Sequence, residues 1–188
     1  MEVNRRKRRK HWREGRVTEP LFRFAAAEEL PAVFQLYVRR VEWMERRGLR
    51  QWNATDYLRA YPLSYYEACQ AAGTLYLAAR PGEPPMGAVV LLTRDGRWPD
   101  GAAALYIHNL VTDAREKGLG AFLLRQSAAL ARRRGLELLR LDCAEDNPAL
   151  NEYYAAQGFA AAGRCQEGPY RGVLREKRLL AGEGSEGA

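Results

Sequence analysis

A chain of 188 residues, 47% hydrophobic with ten tyrosines and four tryptophans, has the length of one ordinary domain. It holds enough apolar side chains to bury a core without metal or disulfide staples. The formal charge of +7 sits almost wholly in residues 1–16, which carry eight basic and two acidic residues, so the basicity belongs to an arm and not to the body. Cys69, Cys143 and Cys165 are odd in number and widely spaced, and with His11 and His108 they form no zinc-type spacing. They read as reduced thiols of a cytoplasmic protein that needs no metal. The longest apolar runs, such as Ala88 to Leu92, fall far short of the ~18 residues of a membrane span. No apolar segment follows the basic N-terminus, which therefore does not read as a secretory signal.

Residues 1–19 lack apolar periodicity and read as a disordered basic arm. Such an arm could attract nucleic acid or an anionic surface, although a solvated arm or a start placed too far upstream is the simpler reading. A domain is expected over 20–180. Leu21 to Phe24 reads as a short strand. Leu30, Val33, Phe34, Tyr37, Val38 and Val41 then recur at the spacing of an amphipathic helix that Gly48 ends. A second helical segment falls within 55–72. Thr74 to Ala79 and Met86 to Leu92 form a hairpin around Pro81-Gly82-Glu83-Pro84-Pro85. A polar loop over 94–101 leads to a strand over 104–112, a glycine-bearing turn and a helix to about Arg134. Leu136 to Cys143 is a buried strand, Pro148 to Gln157 a helix, and 159–166 and 173–180 the closing strands. Residues 181–188 read as a flexible tail. Strand pairs first and strand–helix alternation later predict a mixed α/β (α+β) fold, a sheet covered by helices on both faces.

The most informative stretch runs strand, tight turn, helix through Arg115-Glu116-Lys117-Gly118-Leu119-Gly120. Glycines at 118 and 120 allow positive φ and a close backbone approach, and the following helix begins with unpaired N–H groups and a positive dipole end. An anion is expected there, and Arg115 and Lys117 add charge nearby. The spacing fits neither GxxxxGK[ST] nor GxGxxG, which argues against a nucleotide P-loop and a dinucleotide site.

That turn resembles the signature Q/R-x-x-G-x-G/A of the GNAT superfamily of N-acetyltransferases. A second block, Asn147 to Phe159, resembles the same family's Asn…(aromatic)-Tyr-x-x-x-Gly-Phe segment. Trp43, Gly48, Gln51 and Trp52 are similar to a Trp-x4-Gly-x2-Gln-Trp pattern of one branch. The likeness spans roughly residues 21–180, with two departures: a connection from Thr112 to Arg115 that is one or two residues short, and a threonine at 112 where an aliphatic residue is usual. The resemblance implies a six- to seven-stranded GNAT sheet and acetyl-CoA as co-substrate. It also implies that main chain and side chains of Leu110, Val111, Thr112, Arg115, Lys117, Gly118, Leu119, Gly120 and Ala121 hold the coenzyme.

Acyl transfer to an amine needs a neutral amine, a donor for the developing oxyanion and a proton for the departing sulfur, but no enzyme nucleophile. By the resemblance, Tyr154 donates that proton, a main-chain N–H near Leu110 or Val111 meets the oxyanion, and Asn147 bonds the pantetheine arm. Asn147 before Pro148 is equally an N-cap followed by proline at N1. His108 is the histidine of the expected domain, on the strand face of Tyr106, Leu110 and Thr112, and is a candidate base beside a plain structural role. Glu145, Asp142 and Glu42 are weaker candidates. Trp43, Gln51 and Trp52 could line the acceptor pocket or simply pack. The acceptor is expected to be an amine-bearing small molecule or peptide, and the chain a monomer or homodimer. Two rival readings are a non-catalytic acyl-CoA sensor and a protein acetyltransferase recruited to nucleic acid or ribosomes by the arm.

Overall fold

A computed structural model describes residues 19–49 and 51–179. The arm and the tail expected at the two ends lie outside these residues, apart from Glu19. Seven strands form one sheet in the order β1-β2-β3-β4-β5-β7-β6. They are β1 (Leu21–Phe24), β2 (Leu75–Ala79), β3 (Gly87–Leu92), β4 (Ala104–Thr112), β5 (Leu138–Ala144), β6 (Ala160–Glu167) and β7 (Tyr170–Arg178). Every neighbouring pair is antiparallel except β4 and β5, whose parallel pairing needs a crossover helix.

That helix is α4 (Leu119–Arg133), and it packs with α5 (Pro148–Ala156) on one face of the sheet. Leu123, Leu139 and Phe159 fill the core between them. The opposite face carries α1 (Leu30–Arg46) and α3 (Leu63–Ala71), over a second core that includes Tyr37, Tyr66 and Leu75. The helices cover both faces as the alternation of patterns required. The segment 55–72 is not one helix. Pro62 has no N–H to continue a ladder and turns Tyr61 out of helical geometry, so α2 (Tyr57–Ala60) stops before α3 begins. Among the described residues no helix is long and apolar enough to cross a membrane.

The sheet is divided by its one parallel pair. β4 and β5 are in register only from Ala104 to Tyr106 and from Leu138 to Arg140. Beyond those residues β4 runs on to Thr112 and β5 to Ala144 without pairing, so the strands part and a cleft opens between them.

Candidate active site

β4 diverges because it carries one residue too many. Val90 faces His108 and Ala88 faces Val111, so two residues of β3 span three of β4, and the extra residue bends the strand. The bulged residue is Asn109, at φ 50°, a left-handed conformation that asparagine tolerates better than most side chains. Three tyrosines fix it. Tyr37 donates to its main-chain oxygen at 2.7 Å, Tyr65 donates to Oδ1 at 3.0 Å, and Nδ2 donates to the Tyr57 hydroxyl at 2.6 Å. Burial raises the pKa of all three phenols, which therefore stay protonated.

The bulge corrects one expectation. In a regular strand His108, Leu110 and Thr112 share a face. Here the extra residue reverses the alternation, so Leu110 joins Ile107 over the α4 core while Val111 packs into the α1 core. Past Tyr106 the edge of β4 turned away from β3 has no partner strand, and Ile107, His108 and Asn109 line the cleft there. Thr112 owes its hydroxyl to α1: Arg40 donates to Thr112 Oγ1 at 2.9 Å and also to its carbonyl oxygen. Arg40 was not among the residues that the sequence singled out.

The turn after β4 is built as expected, though its two glycines serve different ends. Gly118 stands at φ 77° immediately before α4, and nothing lies within 4 Å of where its Cβ would be. Gly120 lies inside the first helical turn with no positive φ; a Cβ there would meet the Tyr153 hydroxyl at 2.8 Å. The first helical bond across this end is Phe122 N–H to Gly118 O, 3.0 Å. The N–H groups of Leu119, Gly120 and Ala121 thus precede the ladder of a 15-residue helix and point out of its end. Lys117 is exposed beside them. Arg115 is committed elsewhere, donating to both Asp113 oxygens at 3.0 and 2.8 Å; those bonds hold the Asp113 carboxyl at about 2. Open space over Gly118 and three convergent amides fit a phosphate, the group that the turn is suited to cradle.

A cavity of about 750 Å³ occupies the cleft. Tyr154 and Leu150 of α5 line it from one side, and His108 and Asn109 of β4 from the other. Tyr154 is 9% exposed, and its hydroxyl has no hydrogen-bond partner among the described residues. Burial raises its pKa well above the ordinary phenol value, so it can donate but does not ionise. The Tyr-x-x-x-Gly-Phe run is a helix stop. Gly158 at φ 85° lets Phe159 N–H return to Tyr154 O at 3.0 Å, and the Phe159 ring meets the Tyr154 ring edge-on at 6.0 Å. This cap fixes the tyrosine from below.

Asn147 is the N-cap that its sequence suggested, Oδ1 accepting from Leu150 N–H at 3.0 Å. Its Nδ2 also donates to Gln51 Oε1 at 3.3 Å, so the segment after α1 reaches across to α5. Gln51 and Trp52 line the cavity. Trp43 does not; its ring lies beneath the guanidinium groups of Arg40 and Arg47, at 5.0 and 5.5 Å. Of the acidic candidates, Asp142 and Glu145 line the cavity, while Glu42 is an exposed partner of Arg46 on α1. Among the cavity residues hidden in the sequence are Arg97, from a loop that read only as polar, and Tyr170, which donates to Asp142 Oδ2 at 2.6 Å.

The sheet parts at its parallel pair, a helix start with unpaired amides follows β4, and a buried tyrosine lines the cleft; with the family match, these features make the chain an acyl-CoA-dependent N-acyltransferase. Residues 36–159 match the model of the Acetyltransferase (GNAT) family, and the chain belongs to that family. It is similar to YesJ of Bacillus subtilis (strain 168), an uncharacterized N-acetyltransferase: 26% identical over 166 residues, 84% of this chain and 89% of the relative. Among solved structures, a GNAT-family acetyltransferase from Listeria monocytogenes 4b F2365 superposes with a TM-score of 0.73 at 23% identity, covering 87% of this chain and 99% of the other. The PaiA N-acetyltransferase of Thermoplasma acidophilum, in complex with coenzyme A, matches with a TM-score of 0.64 at 16% identity, over 86% and 99% of the two chains.

Proposed function

We propose that the chain transfers the acetyl group of acetyl-CoA directly to a primary amine of a small molecule or peptide. Acetyl-CoA, when bound, supplies an activated thioester. The amides of Leu119, Gly120 and Ala121, with Gly118 and Lys117, hold its pyrophosphate; Arg115 keeps Asp113 in place beside them. Main chain of Leu110, Val111 and Thr112 lies along the pantetheine, and one N–H of Leu110 or Val111 receives the developing oxyanion. Asn147 fixes the start of α5 and through it the position of Tyr154. His108 takes the proton of the attacking amine as the new carbon–nitrogen bond forms, and Tyr154 gives its proton to sulfur as the carbon–sulfur bond breaks. Both groups then exchange with solvent. Gln51 and Trp52 stand on the acceptor side.

One observation carries this reading: β4, whose outer edge is unpaired beyond Tyr106, joins a cleft lined by the buried Tyr154 to a helix start whose first amides precede the α4 ladder. The coenzyme A complex of the Thermoplasma relative supports it. The test is calorimetry of the full chain with acetyl-CoA, followed by thiol release with a panel of primary amines. Saturable binding with amine-dependent release is expected; absence of binding by folded protein overturns the assignment, and binding without release by any amine indicates a sensor.

A further inference from the structure

We propose that Asp95 is a positioning residue that locks His108 in the tautomer able to accept a proton from the cavity. The proposal rests on the reading of His108 as the amine's proton acceptor. Asp95 lies in the loop between β3 and β4, and its side chain is 7% exposed. Its two oxygens have separate duties. Oδ1 accepts the main-chain N–H of Arg97 at 3.0 Å, and Oδ2 lies 3.0 Å from His108 Nε2. Burial disfavours the charge, but the bonds from His108 and Arg97 outweigh it and hold the carboxyl below its usual range.

An ionised carboxylate can only accept, so the hydrogen between the pair belongs to Nε2. In neutral His108 the lone pair then resides on Nδ1, which has no protein partner among the described residues, on a side chain that lines the cavity. Other charged and titratable groups surround the pair. Arg97 lies 3.8 Å from Asp95 and 3.9 Å from Asp142, and also meets Glu167; Tyr170 covers Asp142, and Tyr57 and Tyr61 face from α2 and its end. Arg97, shared by three carboxylates, can only donate, so it cannot replace Asp95 as the acceptor for Nε2–H.

The geometry makes a directional prediction for Asp95→Asn. Arg97 N–H continues to require an oxygen at the Oδ1 position, which turns the amide nitrogen toward His108. That nitrogen donates, so Nε2 must become the acceptor and the proton moves to Nδ1. Imidazole nitrogen chemical shifts read this directly in the full chain, because its two histidines are distinguished by His11→Gln. Expected is protonated Nε2 and bare Nδ1 in neutral His108 of the wild type, and the reverse in Asp95→Asn. Loss of a correctly presented base slows thiol release with the fastest amine of the panel by about 100-fold or more. Acetyl-CoA affinity stays unchanged. Asp95→Ala, with no group to dictate either form, gives a mixture. A wild-type tautomer with the proton on Nδ1, or one indifferent to Asp95→Asn, overturns the proposal. The shifts are read without cofactor, so this outcome is independent of whether acetyl-CoA binds.

Discussion

Tyr153 and Tyr154 are adjacent phenols with different surroundings. Tyr153 is 36% exposed, and its hydroxyl abuts Gly120 beside the anion turn. Tyr154 is enclosed, lines the cavity and has no group among the described residues to receive its proton. Tyr154→Phe keeps the ring packing against Phe159 and removes only the donor. It is expected to lower turnover by about 100-fold or more, the range of a positioned general acid. Dissociation of acetyl-CoA, measured by calorimetry, should change less than about twofold. An unchanged rate would move the acid elsewhere, and Tyr153→Phe is the control that keeps turnover. The sequence pointed at this residue through the resemblance of Asn147 to Phe159 to the family's segment, and the Gly158-Phe159 end of that run forms the helix stop beneath it. Asp95 obeys no such rule. In Arg94-Asp95-Gly96 it reads as a turn former, and its pairing with His108 arises only when the loop folds back over β4.

Among the elements, the bulged half of β4 determines the shape of the cleft, and it was illegible in sequence. Helices and strands were visible because apolar residues recur with their periods and glycine or proline punctuates them, as at Gly48 and Pro148. Residues 104–112 alternate without a glycine to mark a break, so a regular strand was the natural expectation. The information lies in Tyr37, Tyr57 and Tyr65, one to three helices upstream, each bonded to Asn109. Two substitutions separate strain from bonding. Asn109→Ala takes the acceptor from the Tyr65 hydroxyl, leaves the Tyr57 hydroxyl with Tyr66 alone, and places a Cβ without a local polar group at φ 50°. An unpaired buried group costs about 1–3 kcal/mol and the left-handed backbone about 1–2 kcal/mol, so a loss of roughly 2–5 kcal/mol is expected in urea denaturation. Asn109→Gly loses the same bonds but not the backbone freedom, and should be the milder by about 1 kcal/mol. Equal losses would show that the left-handed conformation stores no strain. Both variants should weaken acetyl-CoA binding, since the open edge of β4 shifts with the bulge.

At the scale of the whole molecule, β1–β4 and β5–β7–β6 are two half-sheets joined by three residue pairs, and the last of these, Tyr106 with Arg140, sits at the fork. Arg140 is the clamp of that seam. Its side chain is 4% exposed, and its guanidinium bonds Asp100 through both Nη atoms at 2.8 and 2.6 Å. Nε donates to Glu176 of β7 at 2.8 Å, and the group lies over the Trp98 ring at 4.2 Å. It therefore ties the loop before β4 to the far half of the sheet. Removing one member of a buried ion pair costs about 3–5 kcal/mol, but Asp100 is half exposed and can rehydrate. Arg140→Met should accordingly lose about 2–3 kcal/mol, lowering Tm by roughly 5–10 °C for a chain of this length. The pH dependence identifies the partner. The bond to Arg140 holds the Asp100 carboxyl at about 2, against about 3.9 in an unfolded chain. A lowered carboxyl stabilises the fold above the unfolded value and ceases to do so as pH falls through the folded one. The stability difference between wild type and Asp100→Asn should thus hold steady from pH 7 to about 4, then shrink toward zero near pH 2, as read from urea midpoints. If that difference stays constant through the acid range, the Asp100 charge plays no part in the seam, and Arg140 holds it through Glu176 and Trp98 alone.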